Sequence, residues 1–165
     1  MKVAFITGIA GQDGAYLAEF LLARGYRVHG LIRWDSHMDP QEGLARLRML
    51  NLLDGRITLH NGDITDSQSI TRLIRDIQPN EIYNLAALTQ VGVSFDTPAA
   101  ALDINIKGTL AILEALRLLH LEKHVRVYQA SSSEMFGTAP APQKENTPFD
   151  PCSPYGVSKL SAYWL

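Results

Sequence analysis

Tyr155 and Lys159 stand four residues apart, a spacing that puts two side chains on one face of a helix. An ordinary phenol titrates near pH 10 and is a poor base at neutral pH. A neighbouring cation stabilises the phenolate and brings it into working range. Tyr-Lys pairs also occur on plain exposed helices, so the pair alone is a weak signal. A second polar stretch, Ser131-Ser132-Ser133-Glu134, follows the short apolar run from Val125 to Ala130. A hydroxyl there can hydrogen-bond a substrate oxygen while the phenol moves its proton, and Glu134 can serve as a second acid or base. The competing reading makes the serines turn caps and Glu134 a solvated loop charge.

A glycine turn near the start gives these groups something to act with. Thr7-Gly8-Ile9-Ala10-Gly11-Gln12-Asp13-Gly14 follows the run Val3 to Thr7 and opens an amphipathic stretch. Gly8 permits the tight turn, Gly11 lets the backbone approach a pyrophosphate, and Gly14 lets helix pack closely on strand. The helix N-terminus then favours the negative charge. A strand before it and a helix after it favour a dinucleotide-binding turn over a glycine-rich turn with no ligand. The next apolar run ends Leu31-Ile32-Arg33-Trp34-Asp35. Arg33 arrives first, and a guanidinium suits a ribose 2′-phosphate, which favours NADP. Asp35 would suit the 2′-hydroxyl of NAD instead, and Trp34 could stack on adenine or on Arg33. Asp63-Ile64 follows the third apolar run, where an adenine edge would lie; Asp63 reads equally well as a turn or capping residue. With a nicotinamide in place, its positive charge adds to that of Lys159 in stabilising phenolate, and Lys159 can hold ribose hydroxyls.

The elements that must position these groups alternate regularly. Strands are expected at Val3 to Thr7, Arg27 to Arg33, Arg56 to His60, Glu81 to Ala87 and Val125 to Ala130. Helices are expected at Gln12 to Arg24, Gln41 to Leu53, Asp66 to Pro79 and Pro98 to Leu119, with a last one opened by Ser153-Pro154. This pattern predicts an α/β fold, a Rossmann-type doubly wound parallel sheet with helices on both faces in the order 3-2-1-4-5. The proline-rich stretch Thr138 to Cys152 is expected to be a loop near the ligand end of the sheet.

Composition bounds the rest. The 165 residues suffice for one domain, with 46% apolar and 19% charged residues. A net charge of -2 without a basic run argues against a nucleic-acid surface. No apolar run is long enough for a membrane span, and Met1 to Gly8 reads as a strand, not a signal peptide. The single cysteine, Cys152, forms no internal disulfide and fits a reducing compartment, so a cytoplasmic location is expected. The histidines lack metal-like spacing apart from a weak His120/His124 pair at a helix end, and no metal is predicted.

The glycine turn and Tyr155-x-x-x-Lys159 together resemble the extended short-chain dehydrogenases/reductases. The likeness is close to one branch, the GDP-mannose 4,6-dehydratases. It is carried by Thr7 to Gly14, Glu81-Ile82-Tyr83-Asn84-Leu85-Ala86-Ala87, Tyr128-Gln129-Ala130-Ser131-Ser132-Ser133-Glu134-Met135-Phe136-Gly137 and Ser153-Pro154-Tyr155-Gly156-Val157-Ser158-Lys159-Leu160. Gln12-Asp13 and Tyr128-Gln129-Ala130 are its most branch-specific parts.

The resemblance implies an internal redox elimination on GDP-mannose. Hydride passes from the hexose C4 to NADP while Tyr155 removes the C4 hydroxyl proton. Glu134 then takes the C5 proton and helps expel water from C6, and hydride returns to C6. Ser132 would bond the C4 oxygen, Lys159 would orient ribose, and Leu85, Ala86 and Ala87 would line the nicotinamide. It also implies a homo-oligomer in the full-length form, and it covers only about the first half of a typical member. Residues 1–165 are therefore expected to be the NADP-binding domain, cut before a sixth strand and a substrate domain. The chain departs from the branch at Trp34 and Cys152, where arginine is usual, at Leu88, usually glutamine, and at Thr89, usually serine. Asn105-Ile106-Lys107-Gly108-Thr109 reads more like extended members in general, sugar epimerases included. Another sugar-nucleotide enzyme, or a non-catalytic dinucleotide-binding module, are the alternatives.

Overall fold

The first apolar run is a strand covered on both sides. β1 spans Val3–Thr7 with every residue buried, as the centre of a parallel sheet requires. The computed structural model describes residues 1–33 and 43–165. Within them β2 is Arg27–Ile32, β3 Ile57–Asn61, β4 Glu81–Asn84 and β5 Arg126–Gln129. All pair in parallel, in the order β3-β2-β1-β4-β5, as predicted. The helices are α1 Gln12–Ala23, α2 Ala45–Met49, α3 Ser67–Ile77, α4 Val91–Asp96, α5 Pro98–Leu102, α6 Gly108–Leu118 and α7 Pro154–Trp164.

Alternation along β1 divides the core between two faces. Val3 and Phe5 join Ile82 with Ile70, Leu73, Ile74 and Ile77 of α3 and Ile112, Ala115 and Leu116 of α6. Ala4 and Ile6 join Val28 with Ala15, Ala18 and Leu21 of α1 and Leu47 of α2. Helices on both faces make the sheet doubly wound. Each fully buried side chain such as Phe5, Ile70 or Ile82 contributes roughly 1.5–3 kcal/mol.

Local chemistry sets the boundaries. Asp66 caps α3, its carboxylate accepting from Gln68 N and Ser69 N (both 3.1 Å). The helix expected from Gln41 begins outside the described residues. Its described part ends where Asn51 turns left-handed (φ 52°) and Leu52 N donates to Leu47 O (2.8 Å), a closing pattern that asparagine tolerates. The helix expected from Pro98 to Leu119 is present as α5 and α6, joined through a π-turn at Asp103–Lys107.

Several elements differ from expectation, three of them beside the site. β2 ends at Ile32, leaving Arg33 exposed beyond the ladder. α4 fills a stretch with no predicted element. β4 stops at Asn84 and not at Ala87, because the Thr7 hydroxyl accepts from both Leu85 N and Ala86 N (3.1 Å each). That bond pair draws the chain out of the ladder and across the end of β1. The expected loop from Thr138 to Cys152 contains no helix or strand, and Asp150 N donates to Met135 O (3.1 Å) at its base.

Candidate functional site

A cleft of about 830 Å³ runs along the C-terminal ends of the strands, where the order reverses between β1 and β4. Open sheets of this kind bind ligands there, and the volume falls within the usual range of ligand sites. One end is bounded by Arg33, Gly43, Leu44, Asp63 and Ile64. The middle is the glycine turn, with Gly8, Gly11, Gln12, Asp13 and Gly14. At the other end are Leu85 to Gln90, Val93, Ala130, Ser131, Tyr155 and Lys159. The cleft thus joins residues that are far apart in sequence.

The glycine turn leaves no room for side chains. Gly8 takes φ 70°, and a Cβ there would lie 2.9 Å from Ala86 N. A Cβ on Gly14 would overlap Gly8 O and come within 2.7 Å of Ile9 Cα. The N-cap of α1 is Gly11, and no side chain caps it. Its first N–H groups therefore stay open to an anion. These features fit a dinucleotide diphosphate.

At the far end, Asp63 does two things. Its carboxylate accepts from Thr65 N (2.8 Å) and Thr65 Oγ1 (2.7 Å), closing a turn, and it also lines the cleft. Burial pushes this carboxyl up, but the Thr65 donors and the Arg33 charge outweigh burial and hold it below its ordinary value. Trp34 and Asp35 lie outside the described residues.

Tyr155 and Lys159 are both buried, at 8% and 5% exposure, so they are not a plain surface pair. Lys159 Nζ donates to Ala130 O (3.1 Å) and sits 5.7 Å from the Tyr155 ring centre. Burial pushes its ammonium down from the usual lysine range. Among the serines, Ser131 lines the cleft. Ser132 Oγ accepts from Glu134 N (3.2 Å) and caps the 3-10 turn Ser133–Met135. An accepting hydroxyl keeps its hydrogen for another partner, so capping leaves Ser132 able to donate. Glu134 is carried to the tyrosine helix itself: a Cβ on Gly156 would meet Glu134 O at 2.6 Å. Ser132 and Glu134 flank the lining residues. The loop after Gly137, expected near the ligand end, contributes none of them.

Sequence reasoning missed a buried polar network behind this wall. Thr7 Oγ1 donates to Asn84 Oδ1 (2.6 Å) while accepting from the Leu85 and Ala86 amides. Asn105, in the π-turn, accepts from Leu88 N (2.9 Å) and donates to Leu88 O (3.2 Å) and Ser158 Oγ (2.8 Å). π-turns recur at functional sites, and here one turns an amide inward to grip the cleft wall. The available signal was a polar residue between apolar neighbours, Ile104-Asn105-Ile106. Among the described residues no group of three or more His, Cys, Asp or Glu is placed to hold a metal. No helix among them is long and apolar enough to cross a membrane.

Comparison with known proteins finds relatives over nearly the whole chain. A family model described as GDP-mannose 4,6 dehydratase matches residues 5–165. A GDP-mannose 4,6-dehydratase of Vibrio cholerae is 49% identical over 165 residues, covering 99% of this chain and 44% of that protein. One from Yersinia enterocolitica is 48% identical, covering 100% of this chain and 45% of its own length. Among solved structures, Thermus thermophilus UDP-glucose 4-epimerase in complex with NAD superposes with a TM-score of 0.79 at 27% identity, over 98% of this chain and 49% of that one. The chain therefore spans a little under half the length of these curated relatives. With the glycine turn, the Tyr155–Lys159 pair and the match over nearly its whole length, the chain belongs to the GDP-mannose 4,6 dehydratase family.

Proposed function

We propose that residues 1–165 form the NADP-binding domain of a cytoplasmic, homo-oligomeric enzyme that converts GDP-mannose to GDP-4-keto-6-deoxymannose and water. The observation that carries this reading is the single cleft joining an uncapped glycine turn to a buried Tyr155–Lys159 pair. The family relatives support the substrate, and the NAD-bound neighbour supports a nicotinamide dinucleotide. Arg33 at the ribose end favours the 2′-phosphorylated form.

Gly8, Gly11, Gln12, Asp13 and Gly14 would hold the diphosphate, Arg33, Asp63 and Ile64 the adenosine end, and Leu85, Ala86, Ala87 and Lys159 the nicotinamide riboside. When bound, NADP supplies a hydride acceptor for C4 and then a hydride donor for C6, so the overall reaction is redox-neutral. Tyr155 takes the C4 hydroxyl proton, with the Lys159 charge stabilising phenolate. Ser132 donates to the C4 oxygen. Glu134 removes the C5 proton, acidified by the new ketone, and delivers it to the departing C6 hydroxyl; as hydride returns to C6, C5 regains a proton at the expense of the one held by Tyr155, which restores both residues.

Incubation of the complete enzyme containing residues 1–165 with NADP and GDP-mannose should yield a 4-keto-6-deoxy sugar nucleotide. Tyr155→Phe should lower kcat roughly 10²–10⁴-fold while leaving NADPH affinity, followed by fluorescence titration, nearly unchanged. Unchanged sugar would refute the reading, and sugar inverted at C4 would replace it with an epimerase.

A further inference from the structure

The start of α7, the helix bearing Tyr155 and Lys159, leaves one donor to be satisfied from outside. Ser153 is its N-cap, with Oγ accepting from Gly156 N (2.9 Å). The first helical residue is Pro154, which has no N–H. The next amide is that of Tyr155, and it is buried. It donates to Ser94 Oγ (3.2 Å), 61 residues away in the chain. Ser94 is fully buried within α4, and its own proton goes to Val91 O (2.6 Å). Both roles of its hydroxyl, donor and acceptor, are used inside the protein. On the other side of the same residue, Tyr155 O accepts from Ser158 Oγ (2.7 Å). The backbone of Tyr155 is therefore held at its N–H and at its carbonyl.

We infer that Ser94 is a positioning residue for Tyr155, tying the phenol-bearing residue to the cleft wall formed by Gln90 and Val93. This rests on the reading of Tyr155 as the acid/base group. α4 begins directly after the wall residues Leu88 to Gln90, so Ser94 joins two helices that line the same end of the cleft. Ser153 organises only its own helix, whereas Ser94 fixes that helix against α4. Losing one hydroxyl leaves the Tyr155 amide buried without an acceptor, and the first turn of α7 shifts to find one. A displacement of about 1 Å at a reacting group can lower turnover on the order of 10²-fold.

The test compares Ser94→Ala with Asp66→Ala, which removes the cap of the distant helix α3, and with Ser94→Thr, which keeps a hydroxyl. Amide hydrogen exchange, kcat, KM and melting are measured on each. Expected in Ser94→Ala are faster exchange at Tyr155 and a kcat lowered roughly ten- to hundredfold, with KM close to the parent's. Asp66→Ala should melt earlier yet keep kcat and slow exchange at Tyr155. Ser94→Thr should restore kcat at least in part. Should Ser94→Thr fail to fold, the Ser94→Ala comparison decides. Parent-like kcat in Ser94→Ala despite faster exchange at Tyr155 would overturn the inference. So would unaltered exchange there, or an equal kcat loss in Asp66→Ala. If the parent itself shows no turnover of GDP-mannose, the functional reading fails, and the exchange comparison still decides whether Ser94 holds Tyr155.

Discussion

Replacing Gly14 by alanine sets two known effects against each other. Alanine in place of glycine gains at most about 1 kcal/mol in a helix interior. At Gly14 the added Cβ would overlap Gly8 O and lie 2.7 Å from Ile9 Cα and 3.0 Å from Ile9 C. All three are backbone atoms, which cannot swing aside as a side-chain tip can. Overpacking costs about 1–3 kcal/mol, and the upper part of that range applies where backbone must move. The net effect is a loss of about 2 kcal/mol, which for a chain of this size lowers Tm by roughly 4–8 °C. The turn must also lift α1 off β1, opening the diphosphate cradle, so NADPH affinity should fall about tenfold or more, equivalent to about 1.4 kcal/mol. Gly92→Ala is the control. Gly92 also lies in a helix, but a Cβ there would meet nothing within 4 Å. Its Tm should hold or rise by up to roughly 2–4 °C. Thermal unfolding by circular dichroism, with fluorescence titration of NADPH, reads both quantities. A Gly14→Ala protein that melts at or above the parent's temperature would refute the steric reasoning, as would an equal fall in Gly92→Ala.

Further outcomes follow from charge. Burial lowers the Lys159 pKa, so its ammonium is lost on the alkaline side below the ordinary lysine value of about 10.4; NADPH binding should weaken as pH rises through that range, and Lys159→Met should bind weakly with no such limb. Between the folded and unfolded pKa values the unfolded chain holds more protons, so Lys159 itself makes stability rise with pH there, a trend that Lys159→Met should remove from the melting curve. Glu81 accepts from Lys2 (3.0 Å), Tyr26 (3.3 Å) and Tyr83 (2.9 Å); burial raises its pKa, but these donors and the Lys2 charge outweigh it and leave it lowered. Its stabilisation is full above the unfolded value of about 4.3 and is lost as pH falls through the folded one, so Tm should drop less steeply below about pH 5 in Glu81→Gln than in the parent. The same cluster pushes the Tyr83 phenol up to about 12, through burial and the Glu81 acceptor. Arg33→Ser should weaken NADPH more than NADH in parallel titrations; equal weakening would remove the 2′-phosphate from its role.

Much of the fold was legible from the chain because its signals are local. Alternating apolar runs and amphipathic stretches specify strands and helices, and short right-handed crossovers leave few ways to order five parallel strands. The glycine turn was legible for the same reason, since its geometry lies within eight residues. So was the Tyr155–Lys159 pair, a matter of one helical turn. What remained hidden depends on groups distant in sequence. The end of β4 is set by the Thr7 hydroxyl on a neighbouring strand, which propensity along Glu81 to Ala87 does not reveal. For Ser132 the chain alone offers both a turn cap and a substrate donor; the fold supplies the cap, its oxygen accepting from Glu134 N, and leaves the hydrogen free for a donor role. Asn105 and Ser94 look like stray polar residues in apolar stretches. Only packing gives each a buried partner, at Leu88 and Ser158 for one and at Tyr155 for the other. A buried polar group must be satisfied by whatever the tertiary fold brings near, and that pairing is not written in the neighbouring residues.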